Sequence, residues 1–226
     1  TLNEMRANGL ILGGHDYTIT GVTVEAAGSI KYDFYAAKNE FTLDDAVKDG
    51  TWANRFMKAD LEKLTPYLMQ LKQAGIPVLW RPLHEAAGKW FWWGNGSAES
   101  YVKLWRYMYD YFKQKGLNNL IWVWTSEKAD ANWYPGDEYV DVIGTDAYGQ
   151  QNVPLSTEEM AERFNTLAYR YPKKMIALTE CGTVTDIPNQ WKQNAKWSWF
   201  MPWYGGNHAS DDWWKATMNS DNIITR

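Results

Sequence analysis

Ile76-Pro77-Val78-Leu79-Trp80-Arg81-Pro82-Leu83-His84-Glu85 is the stretch that decides the fold. An apolar run over 76–83, broken only by Arg81, gives way at once to His84 and Glu85. Such a run lacks the alternation of a half-buried strand. It reads as a strand covered on both faces, as the strands of parallel sheets are. Charge placed directly after such a strand lies at its C-terminal end, where α/β barrels carry their active sites.

Working outward, five further runs read the same way: 9–14, 119–125, 140–146, 175–180 and 197–203. Amphipathic stretches separate them. Leu61, Leu64, Leu68 and Leu71 step at helical spacing, and Gly75 stands where a helix ends. Pro66 inside that pattern marks a kink or a late start. Tyr101, Leu104, Trp105, Met108, Tyr111 and Phe112 form a second stripe, closed by Gly116. Ser156-Thr157-Glu158-Glu159 is a capping-box signature ahead of Met160, Phe164, Leu167 and Tyr171, and Pro172 stops that helix. Residues 16–58 offer no convincing helix or strand and read as a loop excursion over an active site.

Strand–helix alternation points to βαβ units and a parallel sheet. No glycine-rich phosphate loop follows any strand, which argues against a nucleotide-binding doubly wound sheet. The expected class is therefore α/β, a (β/α)8 barrel. Eight strands and about 250 residues are usual for that fold. This chain shows about six strand–helix units in 226 residues, read as a single domain over 1–226.

Composition narrows the partners. The net charge is −4 with no basic stripe, which excludes nucleic acid. The mean hydropathy is −0.54 and no run of 18 apolar residues occurs, so no membrane span is expected. A lone Cys181 excludes an internal disulfide. Fifteen tryptophans and fourteen tyrosines are more than a core ordinarily holds. Indoles seek a partner for the N–H and are rarely fully buried, so a wide aromatic surface for a ligand is expected. Flat apolar faces beside polar groups suit sugar rings.

The run at 175–180 also ends in a carboxylate, Glu180, followed by Cys181 and Gly182. Two carboxylates at the ends of two parallel strands are what glycoside hydrolysis needs: one protonates the leaving oxygen, the other attacks the anomeric carbon or activates water. Trp90-Phe91-Trp92-Trp93 follows Glu85, fits neither helix nor alternating strand, and reads as a sugar platform. The stretch from Trp197 to Gly206 offers a second aromatic wall, and Asp146 and Tyr148 sit at the same rim. His84-Glu85 begins like a zinc-binding H-E-x-x-H, but position 88 is Gly, and His15, His84 and His208 are too few for a histidine site. Cys181 reads as a small buried hydrophobe rather than a nucleophile.

Trp80-Arg81-Pro82-Leu83-His84-Glu85-Ala86-Ala87-Gly88 and Trp90-Phe91-Trp92-Trp93-Gly94 resemble the signature of family 26 glycoside hydrolases, the β-mannanase family. Asn118 to Trp124, Trp133 to Asp137, Tyr139 to Asp141, Leu178 to Gly182, and Met201-Pro202-Trp203 extend the resemblance over about residues 50–226. It implies a (β/α)8 barrel, retaining chemistry, no cofactor and a mannan-type polysaccharide as the partner. The activity implied is endo-β-1,4-mannanase. Same-family action on mixed-linkage glucan or β-1,3-xylan is the alternative, as is a non-catalytic carbohydrate binder. By position Glu85 would be the acid/base and Glu180 the nucleophile. His84 would contact sugar or hold the site's hydrogen bonds, and Tyr148 would donate to the nucleophile. Trp90, Trp93 and Trp203 would stack on sugar, and Arg81 would support the carboxylates. His15 would match a substrate-contacting histidine, although Gly14 and Asp16 replace the tryptophans usual beside it. The family's first two strand–helix units have no counterpart, so a missing N-terminal segment or another chain is expected to complete the barrel. A secreted, periplasmic or cell-surface location in a bacterium is expected.

Overall fold

A computed structural model describes residues 21–24, 30–38, 40–150, 153–203 and 209–224, with 21–24 and 30–33 described by backbone alone. The chain divides into two compact units, residues 1–141 and 142–226. The expected strand at 9–14, His15, His208 and residues 204–206 lie outside the described residues.

In the first unit, β1 (Gly21–Val24) pairs antiparallel with β2 (Ile30–Asp33). A short α1 (Leu43–Ala46) precedes α2 (Trp52–Gln73). Thr51 caps α2 by accepting from the Asn54 N–H, and the Asn54 side chain donates to the Ala46 carbonyl, which clips the two helices together. These elements correct the expectation that 16–58 is bare loop. The start of α2 was hidden because Asn54, a polar residue, stands on its buried face between Ala53 and Met57. Pro66 lies inside α2 without ending it; the apolar seam Met57, Leu61, Leu64 and Leu68 stays buried through it.

The strand expected at 76–83 is shorter, β3 (Val78–Trp80), and pairs parallel with β4 (Leu120–Thr125). Between them α3 (Ala98–Gln114) is capped by Ser97 and buries Tyr101, Leu104, Trp105, Met108 and Phe112. The expectation that β3 is covered on both faces is not met: Leu79 is 51% exposed and Ile76, just before the strand, 45%, whereas Val78 is half-buried and Trp80 buried on the other face. Trp80 joins a core packed around Trp122, with Trp105, Tyr109 and Phe112 as its other neighbours. The wide aromatic surface is corrected too: nine of the fifteen tryptophans are buried, and Trp80, Trp92, Trp93, Trp105 and Trp124 fully so. Each contributes roughly 2–3 kcal/mol by burial.

The second unit is parallel as well. β5 (Val142–Tyr148) pairs with β6 (Met175–Gly182), and β6 with β7 (Phe200–Pro202). The helices are α4 (Thr157–Arg170), α5 (Ile187–Lys192) and α6 (Asp211–Met218). The Ser156–Glu159 capping box at α4 forms in both directions. Register runs from Val142↔Met175 to Thr145↔Leu178, then slips so that Asp146 stands opposite Glu180. A slip of this kind re-aims side chains at the end of a strand.

Candidate active site

The first unit presents Glu85 from an irregular turn. The chain leaves β3, and Leu83 and Glu85 both adopt left-handed backbone, φ +53° and +52°, with Lys89 at +63°. Left-handed non-glycine residues cost of order 1–3 kcal/mol each and persist where their surroundings hold them. The holding groups are buried. The Tyr101 hydroxyl donates to the Leu83 carbonyl at 3.1 Å, and the Trp93 indole donates to the His84 carbonyl at 2.7 Å. Burial pushes the Tyr101 phenol well above its ordinary value, so it stays a donor.

His84 is buried, with Phe91 and Trp93 beside its ring. Arg81 donates to the Thr125 hydroxyl at 3.0 Å, which ties the end of β3 to the end of β4. The aromatic run divides. Phe91, Trp92 and Trp93 face inward, whereas Trp90 is 43% exposed and donates its indole N–H to Glu85 Oε2 at 3.1 Å. Trp93 thus braces the turn and presents no open face to a sugar. The expectation of a continuous platform fails because three of the four rings are needed to fill the space under the turn.

The second unit presents Glu180 from within β6, directly after the register slip. Glu180 is 1% exposed, and the Tyr148 hydroxyl donates to its Oε2 at 2.6 Å. A donated hydrogen bond favours the charged carboxylate, against the burial that disfavours it. Beside it the Thr179 hydroxyl donates to Asp146 Oδ1 at 2.6 Å. Arg163 donates to the Thr145 hydroxyl and to the Asp146 carbonyl. Gly144 makes this arrangement possible, because a Cβ there would lie 2.4 Å from Thr179 Cγ2. Reading the sequence flagged Asp146 as an acid at the rim but missed Thr179 and Gly144. Gly144 stands opposite Ala177 and Thr179 falls at the slip, so their close approach emerges only once the register is known.

The backbone N–H of Trp203 donates to the Cys181 carbonyl at 2.7 Å, which seats Trp203 at the end of β7. Cys181 is buried, and burial together with the Asp146 and Glu180 charges pushes its thiol up to about 12. A thiol held protonated in this way is no nucleophile.

In chemical terms, the first unit offers a half-exposed carboxyl beside an open indole face. The second offers a buried, hydrogen-bonded carboxylate. Both stand at the C-terminal ends of parallel strands. Among the described residues no helix is long and apolar enough to cross a membrane.

Comparison with known proteins agrees with this chemistry. Residues 21–224 match the model of glycosyl hydrolase family 26. The chain is 37% identical over 202 residues to mannan endo-1,4-beta-mannosidase B of Piromyces sp, covering 88% of this chain and 33% of that protein. It is 36% identical to a mannan endo-1,4-beta-mannosidase of Thermothelomyces thermophilus, covering 85% and 40%. The chain therefore spans between a third and two fifths of the length of these relatives.

Among solved structures it is similar to the GH26 domain of an endo-beta-mannanase/endo-beta-glucanase from Prevotella bryantii. The TM-score is 0.81 and the identity 39%, over 89% of this chain and 66% of that one. It is also similar to a beta-mannanase from a symbiotic protist of the termite Reticulitermes speratus, complexed with gluco-manno-oligosaccharide. There the TM-score is 0.77 and the identity 42%, over 86% and 62%. The strand–helix units are those of part of a (β/α)8 barrel. With the family model spanning both units and both strand-end carboxylates intact, the chain belongs to glycosyl hydrolase family 26.

Proposed function

We propose that the chain is catalytic domain of a retaining endo-β-1,4-mannanase, acting on mannan, glucomannan or galactomannan by double displacement. The observation that carries the reading is the seat of Glu180: buried, at the end of a parallel strand, and hydrogen-bonded by Tyr148. A carboxylate so held is aimed, as a nucleophile must be, and the Tyr148 donor favours its charged form. Glu85, half-exposed beside an indole donor, is the acid that protonates the leaving oxygen and the base that then activates water. The names of the relatives support the substrate.

Trp90 and Trp203 are the sugar-stacking candidates, and His84 and Arg81 hold the acid's turn. Residues 1–226 act as one catalytic domain, and the family match across 21–224 supports this. A further segment, N-terminal or on another chain, completes the sheet beyond β3; the exposure of Ile76 and Leu79 supports it. A polymer too large to enter a cell places the enzyme outside the plasma membrane, secreted, periplasmic or on the cell surface.

The test compares products from galactomannan, glucomannan, lichenan and β-1,3-xylan. Internal cleavage of the mannans to short manno-oligosaccharides, with the β-anomer formed first by NMR, is the expected result. Preference for lichenan or xylan would overturn the substrate. First formation of the α-anomer would overturn the retaining mechanism. Binding without cleavage would make the protein a carbohydrate binder, which has no need of the two glutamates.

A further inference from the structure

Gly88 closes the turn Ala86–Gly88, and its N–H donates to the Glu85 carbonyl at 3.1 Å. Its backbone is not left-handed, so its own conformation does not call for glycine. What does call for glycine is the ring of Trp90. A Cβ on Gly88 would lie 2.0 Å from Trp90 Cη2 and 2.0 Å from Cζ3, well inside any real carbon–carbon contact. The indole lies against the Gly88 α-carbon, and from that position its N–H reaches Glu85 Oε2.

The Trp90 backbone cannot retreat to make room. Its carbonyl accepts from the Ala36 N–H at 2.9 Å, and the next residue, Phe91, bridges to Tyr35. The ring is the part that can yield, because it is 43% exposed. Any side chain at position 88 therefore swings the indole toward solvent and takes the N–H off the carboxyl.

We propose that Gly88 is a positioning residue for the acid step: it seats the Trp90 indole, and the indole orients the Glu85 carboxyl toward the leaving oxygen. This rests on the reading of Glu85 as the acid/base. The inference assigns Gly88 no contact with substrate. Its influence on the chemistry passes through one hydrogen bond, so it acts in the steps in which the carboxyl gives its proton and takes one back, and kcat/KM isolates the first of these. Glycosylation of the enzyme forms the bond from the nucleophile to the anomeric carbon, breaks the glycosidic bond, and sends the proton from Glu85 to the departing oxygen. Substrates whose leaving group departs unaided do not need that proton.

The experiment measures kcat/KM, which reports the first covalent step, for aryl β-manno-oligosides with a dinitrophenolate and with a phenolate leaving group. The protein is used at its full natural length. The variants are Gly88→Ala, Trp90→Phe, the double variant, and Glu85→Ala. Gly88→Ala and Trp90→Phe should each lose about tenfold more on the phenyl substrate than on the dinitrophenyl one, as expected for loss of one hydrogen bond to the acid, whereas any loss of sugar stacking falls equally on both substrates. The double variant should be no worse than either single, because both remove the same contact.

Equal losses on both substrates in Gly88→Ala, or full additivity with Trp90→Phe, would overturn the inference. If Gly88→Ala proves unstable, Trp90→Phe alone decides: it removes the indole N–H with Gly88 intact, so an unchanged leaving-group dependence overturns the inference just as well. Failure of the underlying reading looks different. In that case Glu85→Ala would itself lose equally on both substrates.

Discussion

Glu85 and Glu180 are seated in opposite ways. Glu180 lies within strand β6, directly after its register slip, is buried, and its partner Tyr148 comes from the neighbouring strand β5. Its position is fixed by the sheet and by the way the slip aims it. Glu85 stands in a turn with three left-handed non-glycine residues, and its indole partner is a side chain open to solvent. Its position is fixed by packing beneath the turn. The contrast matches the work proposed for each. A nucleophile must hold one attack line and stay ionised. A group that gives a proton and later takes one back must meet both a departing sugar and an incoming water. Rigid backbone serves the first, and a braced turn with an open side serves the second.

Replacing each carboxylate is the widest test of that contrast. Glu180→Ala should lose about 10^4-fold or more on every substrate, measured by initial rates, because no covalent intermediate can form. Glu85→Ala should lose as much on mannan but little in kcat/KM on a dinitrophenyl glycoside, and azide should restore its turnover with a β-configured product. An α-configured product from azide and Glu85→Ala, or a β-configured one from azide and Glu180→Ala, would exchange the two roles. A narrower test removes the donor alone. Tyr148→Phe should lower kcat about 10–100-fold with KM nearly unchanged, since a charge-assisted hydrogen bond is lost without loss of a sugar contact. A change confined to KM would place Tyr148 on the substrate instead.

The strand seat can also be broken sterically. Gly144→Ala puts a Cβ against Thr179, so Thr179 must leave Asp146 or the strands must part. A loss of about 1–3 kcal/mol in urea unfolding is expected. The smallest effect comes from a third carboxylate, Asp60 on α2, which has neither kind of seat. Desolvation pushes it up to about 6, opposed weakly by Lys63. Its folded value lies above the ordinary 3.8, so burial penalises the ionised form. No penalty exists below about pH 4; it grows between pH 4 and 6 and is constant above. Asp60→Asn should gain about 1 kcal/mol at pH 7, discounted for partial exposure, and nothing at pH 4. An unchanged urea midpoint at pH 7 would show Asp60 to be effectively solvated.

Much of this was legible in the sequence because the apolar runs end abruptly in charge. The boundary at Leu83–Glu85 and the end of the run at Glu180 pointed to the two carboxylates and the α/β class together, although β3 stops earlier, at Trp80, and β6 runs on to Gly182. Direction was not legible. Trp90-Phe91-Trp92-Trp93 holds four residues of one chemical type, and only the three-dimensional need to fill space beneath Leu83 and His84 turns three of them inward. The left-handed backbone at Leu83, Glu85 and Lys89 carries no glycine to announce it. The start of α2 was obscured because Asn54, a buried residue, faces a carbonyl rather than a side chain. Gly88 and Gly144 read as ordinary glycines until their neighbours across the turn and the sheet are known.

The aromatic core around Trp122 has an optical consequence. The Trp122 ring lies 6.5 Å from Trp80 at an interplanar angle of 83°, and 5.6 Å from Trp105 at 60°. Indoles this close and this inclined share their electronic excitation, and the twisted arrangement makes the shared states rotate polarised light. The far-ultraviolet circular dichroism of the folded protein should therefore carry an indole couplet over the backbone signal, and helix content read from that spectrum will be in error. The couplet reports the packing of Trp80, Trp105 and Trp122 rather than the helices. A partly unfolded form that kept α2 and α3 but loosened this cluster would lose it first, giving a spectroscopic marker of core order that needs no label.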